Sequence, residues 1–280
     1  MLEPTASPAR PLGPPRAHAV PRPFGDLLRE WRQRRRMSQL DLAGAADVST
    51  RHLSFVETGR SMPSREMVLR LAERLDVPLR ERNALLHAAG YAPLYRERPL
   101  ADPALDAARE AVERVLRGLE PGPALAVDRH WQMVAHNRVV PRLLQGVAAG
   151  LLVPPVNVLR LSLHPEGLAP RIVNHAQWRA HLLARLHRQI EASADPVLEV
   201  LLGELVDYPA PAAAPTPQGG DAGFVVPLQL ASDAGVLSFF STTTVFGTPV
   251  EVTLSELAIE AFFPADEETA AALRPWRPHP

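Results

Sequence analysis

Three serines between positions 38 and 64 constrain this chain more than any other feature, because each opens a short segment with apolar residues at helical spacing. Leu40, Leu42, Ala43 and Ala46 follow Ser38, Leu53 and Val56 follow Ser49, and Met67, Val68, Leu71 and Leu75 follow Ser64. A serine hydroxyl accepts from the unsatisfied N–H groups of a first helical turn, so each serine marks a helix start. Asp47 ends the first segment and Gly59 closes the second. Another helix precedes them, with Phe24, Leu27, Leu28 and Trp31 on one face, and runs into Arg34, Arg35 and Arg36. A fifth follows Pro78 and ends at Ala89 and Gly90. Helices this short, joined by turns this tight, bury their apolar faces only by packing on one another, which predicts a compact all-helical domain over 22–92.

The flanking sequence has a different texture. Residues 1–21 hold Pro4, Pro8, Pro11, Pro14, Pro15 and Pro21 among small residues and are expected to be a disordered tail. Pro93, Pro99 and Pro103 make 93–104 a linker. Beyond it, 105–265 reads as an α+β domain. Helices are expected over 105–119, near 137–144, over 178–190 and over 196–206. Strands are expected over 124–127, 131–135 and 156–163, with closing antiparallel strands over 224–230, 236–245 and 248–259. The stretch 209–223 is rich in Pro, Ala and Gly and reads as a loop, and 266–280 as a C-terminal tail. The fold class is therefore multidomain, an α domain followed by an α+β domain with an antiparallel sheet.

Composition removes several functions. The chain has no cysteine, so disulfides, thiolate metal sites and a cysteine nucleophile are excluded. No apolar run reaches membrane-spanning length, and the start lacks the apolar core of a signal peptide, so a cytoplasmic protein with no membrane partner is expected. The net charge of −1 hides an asymmetry: 22–98 carries +5 and 99–280 carries −7. Cationic side chains displace condensed counterions from nucleic acid, so contact with it is expected from the front of the chain.

Two capped helices of about two turns, joined by a tight turn, are what a helix-turn-helix needs to place its second helix in a major groove. Ala43 is small where the pair crosses. Val48, Leu53 and Val56 anchor the second helix from behind, which leaves Thr50, Arg51, His52 and Phe55 facing outward.

The run Ser38-Gln39-Leu40-Asp41-Leu42-Ala43, Ala46-Asp47-Val48-Ser49, Val56-Glu57-Thr58-Gly59-Arg60 and Met62-Pro63-Ser64 resembles the lambda-repressor/Cro-like (XRE) helix-turn-helix family over 24–90. Asp47 departs from the glycine usual at that turn, but aspartate also tolerates a left-handed backbone. Ser49 to Arg60, Pro63-Ser64-Arg65-Glu66-Met67-Val68, Val77-Pro78-Leu79-Arg80-Glu81-Arg82-Asn83 and Ala88-Ala89-Gly90-Tyr91-Ala92-Pro93 are similar, more narrowly, to regulators with an MmyB-like C-terminal domain. That resemblance implies a PAS-like ligand-binding fold for the rear domain. It also implies that Gln39 contacts backbone or a base edge of double-stranded DNA, and that Thr50, Arg51 and His52 occupy the first turn of the recognition helix. Arg51 is expected to pair with guanine and Phe55 to touch a thymine methyl. Arg34, Arg35, Arg36 and Arg60 are expected to meet phosphates, whereas Glu57 is expected to be structural.

The expected protein is a homodimeric regulator on a palindromic operator. Its rear domain would hold a small apolar ligand, an acyl chain among the possibilities, near Trp131, Leu161, His164, Leu183, Leu186, Phe239 and Phe246. A purely protein-binding rear domain is the alternative. An enzyme is disfavoured, with no catalytic residue assigned, because no Gly-x-Ser-x-Gly elbow and no phosphate-cradling glycine loop are present. No cofactor is expected. His175, His181 and His187 recur six apart, which spreads them around a helix, so no metal site is expected either.

Overall fold

The computed structural model describes residues 22–209, 211, 226–247 and 251–276. Two compact units emerge: residues through Leu75 with Leu85–Tyr91, and Asp76–Ala84 with the residues from Ala92 onward. The expected tail over 1–21 and nearly all of the loop over 209–223 lie outside the described residues.

The helices of the first unit are α1 (Phe24–Arg34), α2 (Gln39–Ala45), α3 (Thr50–Glu57) and α4 (Arg65–Arg74), with the second half of α5 (Leu79–Ala88). All three serines cap as the sequence requires. Ser38 accepts from the Asp41 N–H at 3.1 Å, Ser49 from His52 at 3.1 Å and Ser64 from Met67 at 3.2 Å. Asp41 returns the bond to the Ser38 N–H at 2.9 Å, completing a capping box. Asp47 takes the left-handed backbone of the turn at φ 53°. The core gathers Phe24, Leu28, Trp31, Leu42, Ala43, Leu53, Val56, Val68, Leu71, Leu75, Leu85 and Leu86, all buried. Gly25 lets α1 approach the end of α3, since a Cβ there would lie 2.4 Å from the Glu57 carbonyl oxygen.

The second unit is built on one antiparallel sheet. Its strands are β1 (Ala124–Val127), β2 (Met133–His136), β3 (Leu228–Ser232), β4 (Gly235–Val245) and β5 (Ala258–Pro264), in the order β2-β1-β5-β4-β3. Its helices are α6 (Asp106–Gly118), α7 (Val140–Leu143), α8 (Val158–Leu163), α9 (His175–Ser193), α10 (Pro196–Asp207), α11 (Val252–Ser255) and α12 (Glu267–Leu273). Side chains alternate between sheet faces, and the two faces bury different partners. Ala124, Ala126, Ile259 and Ala261 pack under Val112 and Leu116 of α6. Val127, Leu228, Leu230, Leu237 and Phe239 join Leu159, Trp178, Leu182, Leu186, Leu198 and Leu205 in a larger core beneath α8, α9 and α10.

Several sequence expectations change here. Residues 156–163 are not a strand: Asn157 accepts from the Leu159 and Arg160 N–H groups, both at 3.1 Å, and starts helix α8. The Val-Leu-Arg-Leu-Ser-Leu alternation imitates a strand, but a six-residue helix with Leu159, Leu161 and Leu163 buried satisfies the same pattern. The strand expected over 248–259 gives way to α11 and begins instead at Ala258. The closing residues, read as a tail, form α12, which Asp266 caps and in which Thr269 and Leu273 are buried. Residues of the expected linker pack within the second unit, where the Arg96 carbonyl accepts from Val252 at 2.9 Å and that of Arg98 from Thr253 Oγ1 at 2.5 Å.

Candidate nucleic-acid interface and ligand cavity

Helix α3 divides its residues by side. Leu53, Val56 and Glu57 are buried, Arg51 is exposed, and Thr50, His52 and Phe55 are half-buried. Two guanidinium groups lie near the Phe55 ring, Arg51 at 5.4 Å and Arg60 at 6.0 Å from its centroid. Among the described residues neither arginine has a carboxylate partner. The one acid of the helix, Glu57, points the other way, so the outer edge of α3 is cationic and aromatic.

Glu57 organises what lies behind that edge. Its carboxylate accepts from Arg32 Nε at 2.6 Å, Arg32 Nη2 at 2.9 Å and Gln39 Nε2 at 2.8 Å. Arg29 Nη2 donates to the Glu57 carbonyl at 2.8 Å. Burial by itself would raise the Glu57 carboxyl, but the hydrogen bonds from Arg32 and Gln39 and the charges of Arg32 and Arg29 outweigh it and hold the group below the usual glutamate range. Gln39 therefore stands at the start of α2 with its amide fixed from behind.

The remaining expected contacts are placed unevenly. Arg36 is exposed at φ 53°, just past α1. Arg35 is half-buried, with Nε donating to the Leu75 carbonyl at 2.7 Å and its guanidinium 5.4 Å from the Trp31 ring. Arg34 lies 3.6 Å from Glu30 and 5.9 Å from the same ring. Arg34 and Arg35 thus have work inside the unit that an exposed phosphate contact does not need.

In the second unit a cavity opens between the sheet and helices α7, α8 and α9. Its wall is mostly apolar, from Leu125 and Met133 across Leu159, Leu161, Trp178 and Leu182 to Leu230, Phe239 and Phe262, with Ser162, Ser241, Arg185 and Glu260 as polar members. Its volume is about 90 Å³, below the roughly 300–1,000 Å³ of most small-molecule sites. Trp131 also lines it, on a left-handed backbone at φ 64° that is costly for a bulky residue. A tight turn holds it there: the Trp131 N–H donates to the Asp128 carbonyl at 3.1 Å, while Asp128 Oδ1 accepts from His130 at 2.8 Å and Gln132 at 2.9 Å. Trp131 Nε1 donates to Gln189 Oε1 at 2.7 Å.

Of the expected pocket residues, Trp131, Leu161 and Phe239 line this cavity. The other four lie elsewhere. Leu186 is fully buried in the core beneath it, and Leu183 packs against that core. Phe246 packs with the α6 layer on the opposite face of the sheet. His164 holds a turn, its Nδ1 accepting from the Glu166 N–H at 3.1 Å, with its ring edge-on to Tyr208 at 5.0 Å. Arg185 and Glu260 were missed, although a lone charge inside each apolar run, Leu182 to Leu186 and Ala258 to Phe263, is the signal that would have found them: such residues are buried only as pairs. Among the described residues no group of three or more His, Asp or Glu is placed to hold a metal, and no helix is long and apolar enough to cross a membrane.

Comparison with known families finds a match over each part of the chain. Residues 108–275, more than half of the chain, match the model of the MmyB-like transcription regulator ligand binding domain. Residues 23–85 match a helix-turn-helix domain. A comparison with curated proteins finds no match.

Proposed function

The chain belongs to the MmyB-like transcription regulators, and from that premise we propose that α3 reads operator bases while the cavity senses a small apolar ligand. That the protein is a DNA-binding transcription regulator follows from its two matched domains; the roles of individual residues are our reading. Support comes above all from one observation, the Phe55 ring with the Arg51 and Arg60 guanidiniums beside it on a helix edge without exposed acid. Arg51 makes a bidentate contact with guanine, Phe55 meets a thymine methyl, and Thr50 and His52 complete the reading edge. Gln39 contacts backbone or a base edge from the start of α2. Arg36 and Arg60 position the helix on phosphates, with Arg34 and Arg35 in supporting places. Two copies bind as a homodimer, so that their α3 helices enter successive major grooves about 34 Å apart on a palindromic operator.

The strand order β2-β1-β5-β4-β3, with α8, α9 and α10 across one face and α6 on the other, supports a PAS-like reading of the second unit. Its occupant is small and apolar, with an acyl chain fitting the wall, and the protein acts as a sensor and not as an enzyme. Ligand binding shifts the population of dimer geometries that fit the operator.

Selection of bound sequences from a random DNA pool with the purified full chain tests this reading. The expected outcome is a palindromic motif with half-sites one helical turn apart. Arg51→Ala should weaken that motif by about 1–3 kcal/mol and relax preference at one base pair. Absence of any motif, or an unchanged motif in Arg51→Ala, would remove the assignment.

A further inference from the structure

This inference rests on reading the cavity as a ligand site. Arg185 and Glu260 are the charged residues of its wall, and they neutralise each other. Arg185 Nη1 and Nη2 donate to Glu260 Oε2 and Oε1 at 2.9 and 2.5 Å, a two-pronged contact. Nη2 also donates to Thr243 Oγ1 at 2.8 Å, and the guanidinium lies 4.6 Å from the Trp131 ring centroid. The register fixes this pair at the centre of the sheet, with Glu260 opposite Leu125 on β1 and Thr243 on β4. The Glu260 side chain is 6% exposed.

We propose that the cavity selects a slender, uncharged amphiphile, a hydrocarbon chain bearing a hydroxyl or carbonyl head, over the carboxylate of the same chain. A carboxylate leaving water needs a cation or several N–H donors to replace its hydration. Among the described residues Arg185 is the one cation in the wall, and it is already engaged by Glu260. Drawing it away would leave Glu260 buried without its counter-charge, and a carboxylate beside the intact pair meets the like charge of Glu260. His181 stands nearby, its ring stacked on Trp178 at 5.4 Å. Burial and the charges of Arg185 and Arg188 hold its imidazole below the usual range against the opposing pull of Glu260, so at neutral pH it offers no second cation. A neutral head finds better partners. Ser162 Oγ accepts from Trp178 Nε1 at 2.9 Å, which leaves its O–H to donate to a ligand oxygen, and Ser241 offers another hydroxyl. The cavity volume of about 90 Å³ favours an unbranched chain over a ring system.

The test compares the binding of 1-dodecanol and of dodecanoate to the full chain by isothermal titration calorimetry. An acid must take up a proton to enter uncharged, and three pH units above its pKa that lowers affinity by as much as about 10³-fold. Near pH 8 the alcohol should bind at least about tenfold more tightly, and the gap should close as the pH falls. Glu260→Gln frees Arg185 and should raise dodecanoate affinity about tenfold or more relative to that of the alcohol. If that variant does not fold, the wild-type comparison and its pH dependence decide alone. Dodecanoate binding as tightly as dodecanol near pH 8 would overturn the proposal and leave the ligand site intact. If alcohol and acid both fail to bind at any pH, the ligand-site reading falls and the proposal with it.

Discussion

Glu57 shows how a single buried charge sets up the surface in front of it. Three groups converge on it from α1 and α2, namely the Arg29 and Arg32 guanidiniums and the Gln39 amide, and Arg32 Nη1 is itself held by donating to the Met37 carbonyl at 2.9 Å. Glu57→Gln keeps the shape but leaves Arg32, whose side chain is 11% exposed, without a counter-charge. Removing one member of a buried pair costs about 3–5 kcal/mol, and partial hydration of Arg32 brings the expected loss to about 2–3 kcal/mol. Hydrogen exchange at the α3 amides would measure it. The pH dependence has a definite sign. Because the folded state holds the Glu57 carboxyl below its ordinary value, the stabilisation is complete above the ordinary glutamate range and is lost as pH falls through the lower folded value. Wild-type α3 should therefore lose protection in acid, and Glu57→Gln should flatten that part of the profile. Sequence alone placed Glu57 inside correctly because a carboxylate facing phosphate would be repelled, but nothing in it revealed that Gln39 is one of its partners.

At the scale of elements, legibility followed the reach of the signal. Capped helices are local, and Ser38, Ser49 and Ser64 each announced one that the structure contains. The turn at Asp47 was legible for the same reason. Helix α8 was not, because Asn157 is both the polar member of a strand-like alternation and the cap of a helix, and only packing against α10 and the sheet decides between them. The strand reading named Leu161, which lines the cavity, but passed over Leu159 and Ser162, which line it too. Asn157 is now the residue on which the element turns: its Oδ1 caps α8 and its Nδ2 donates to the His130 carbonyl at 2.9 Å, next to the strained Trp131. Asn157→Ala should lower stability by about 1–2 kcal/mol for the lost cap and a comparable amount for the lost bond to the turn. The check is the thermal midpoint of the second unit followed by tryptophan fluorescence, with 1-dodecanol binding weakened in parallel. Unchanged binding with a lowered midpoint would show that the Trp131 turn holds its position without Asn157.

For the whole molecule, charge is divided between the part that meets DNA and the part that does not, and the salt dependence of binding measures that division. The front segment 22–98 carries +5 and 99–280 carries −7, so phosphate contacts are expected from few residues and none from the acidic body. Arg35 is tied to the Leu75 carbonyl and Arg34 pairs with Glu30, which leaves Arg36 and Arg60 as the phosphate contacts expected of each copy. Each neutralised phosphate contributes about −0.9 to the slope of log affinity against log salt. Two copies on a palindrome give a slope of about −3.6, so raising salt fourfold should weaken operator binding roughly 150-fold. A single copy gives about −1.8 and roughly a twelvefold loss. The same titration thus reports how many copies sit on the DNA. Arg60→Ala should reduce the dimer slope by about 1.8, one phosphate per copy, and weaken all sequences nearly equally, whereas Arg51→Ala should change the preferred sequence and leave the slope almost unaltered. A slope well beyond −3.6 would mean that Arg34 and Arg35 abandon their internal partners on DNA, and hydrogen exchange at the end of α1, lower in the complex if they stay and higher if they leave, would distinguish the two.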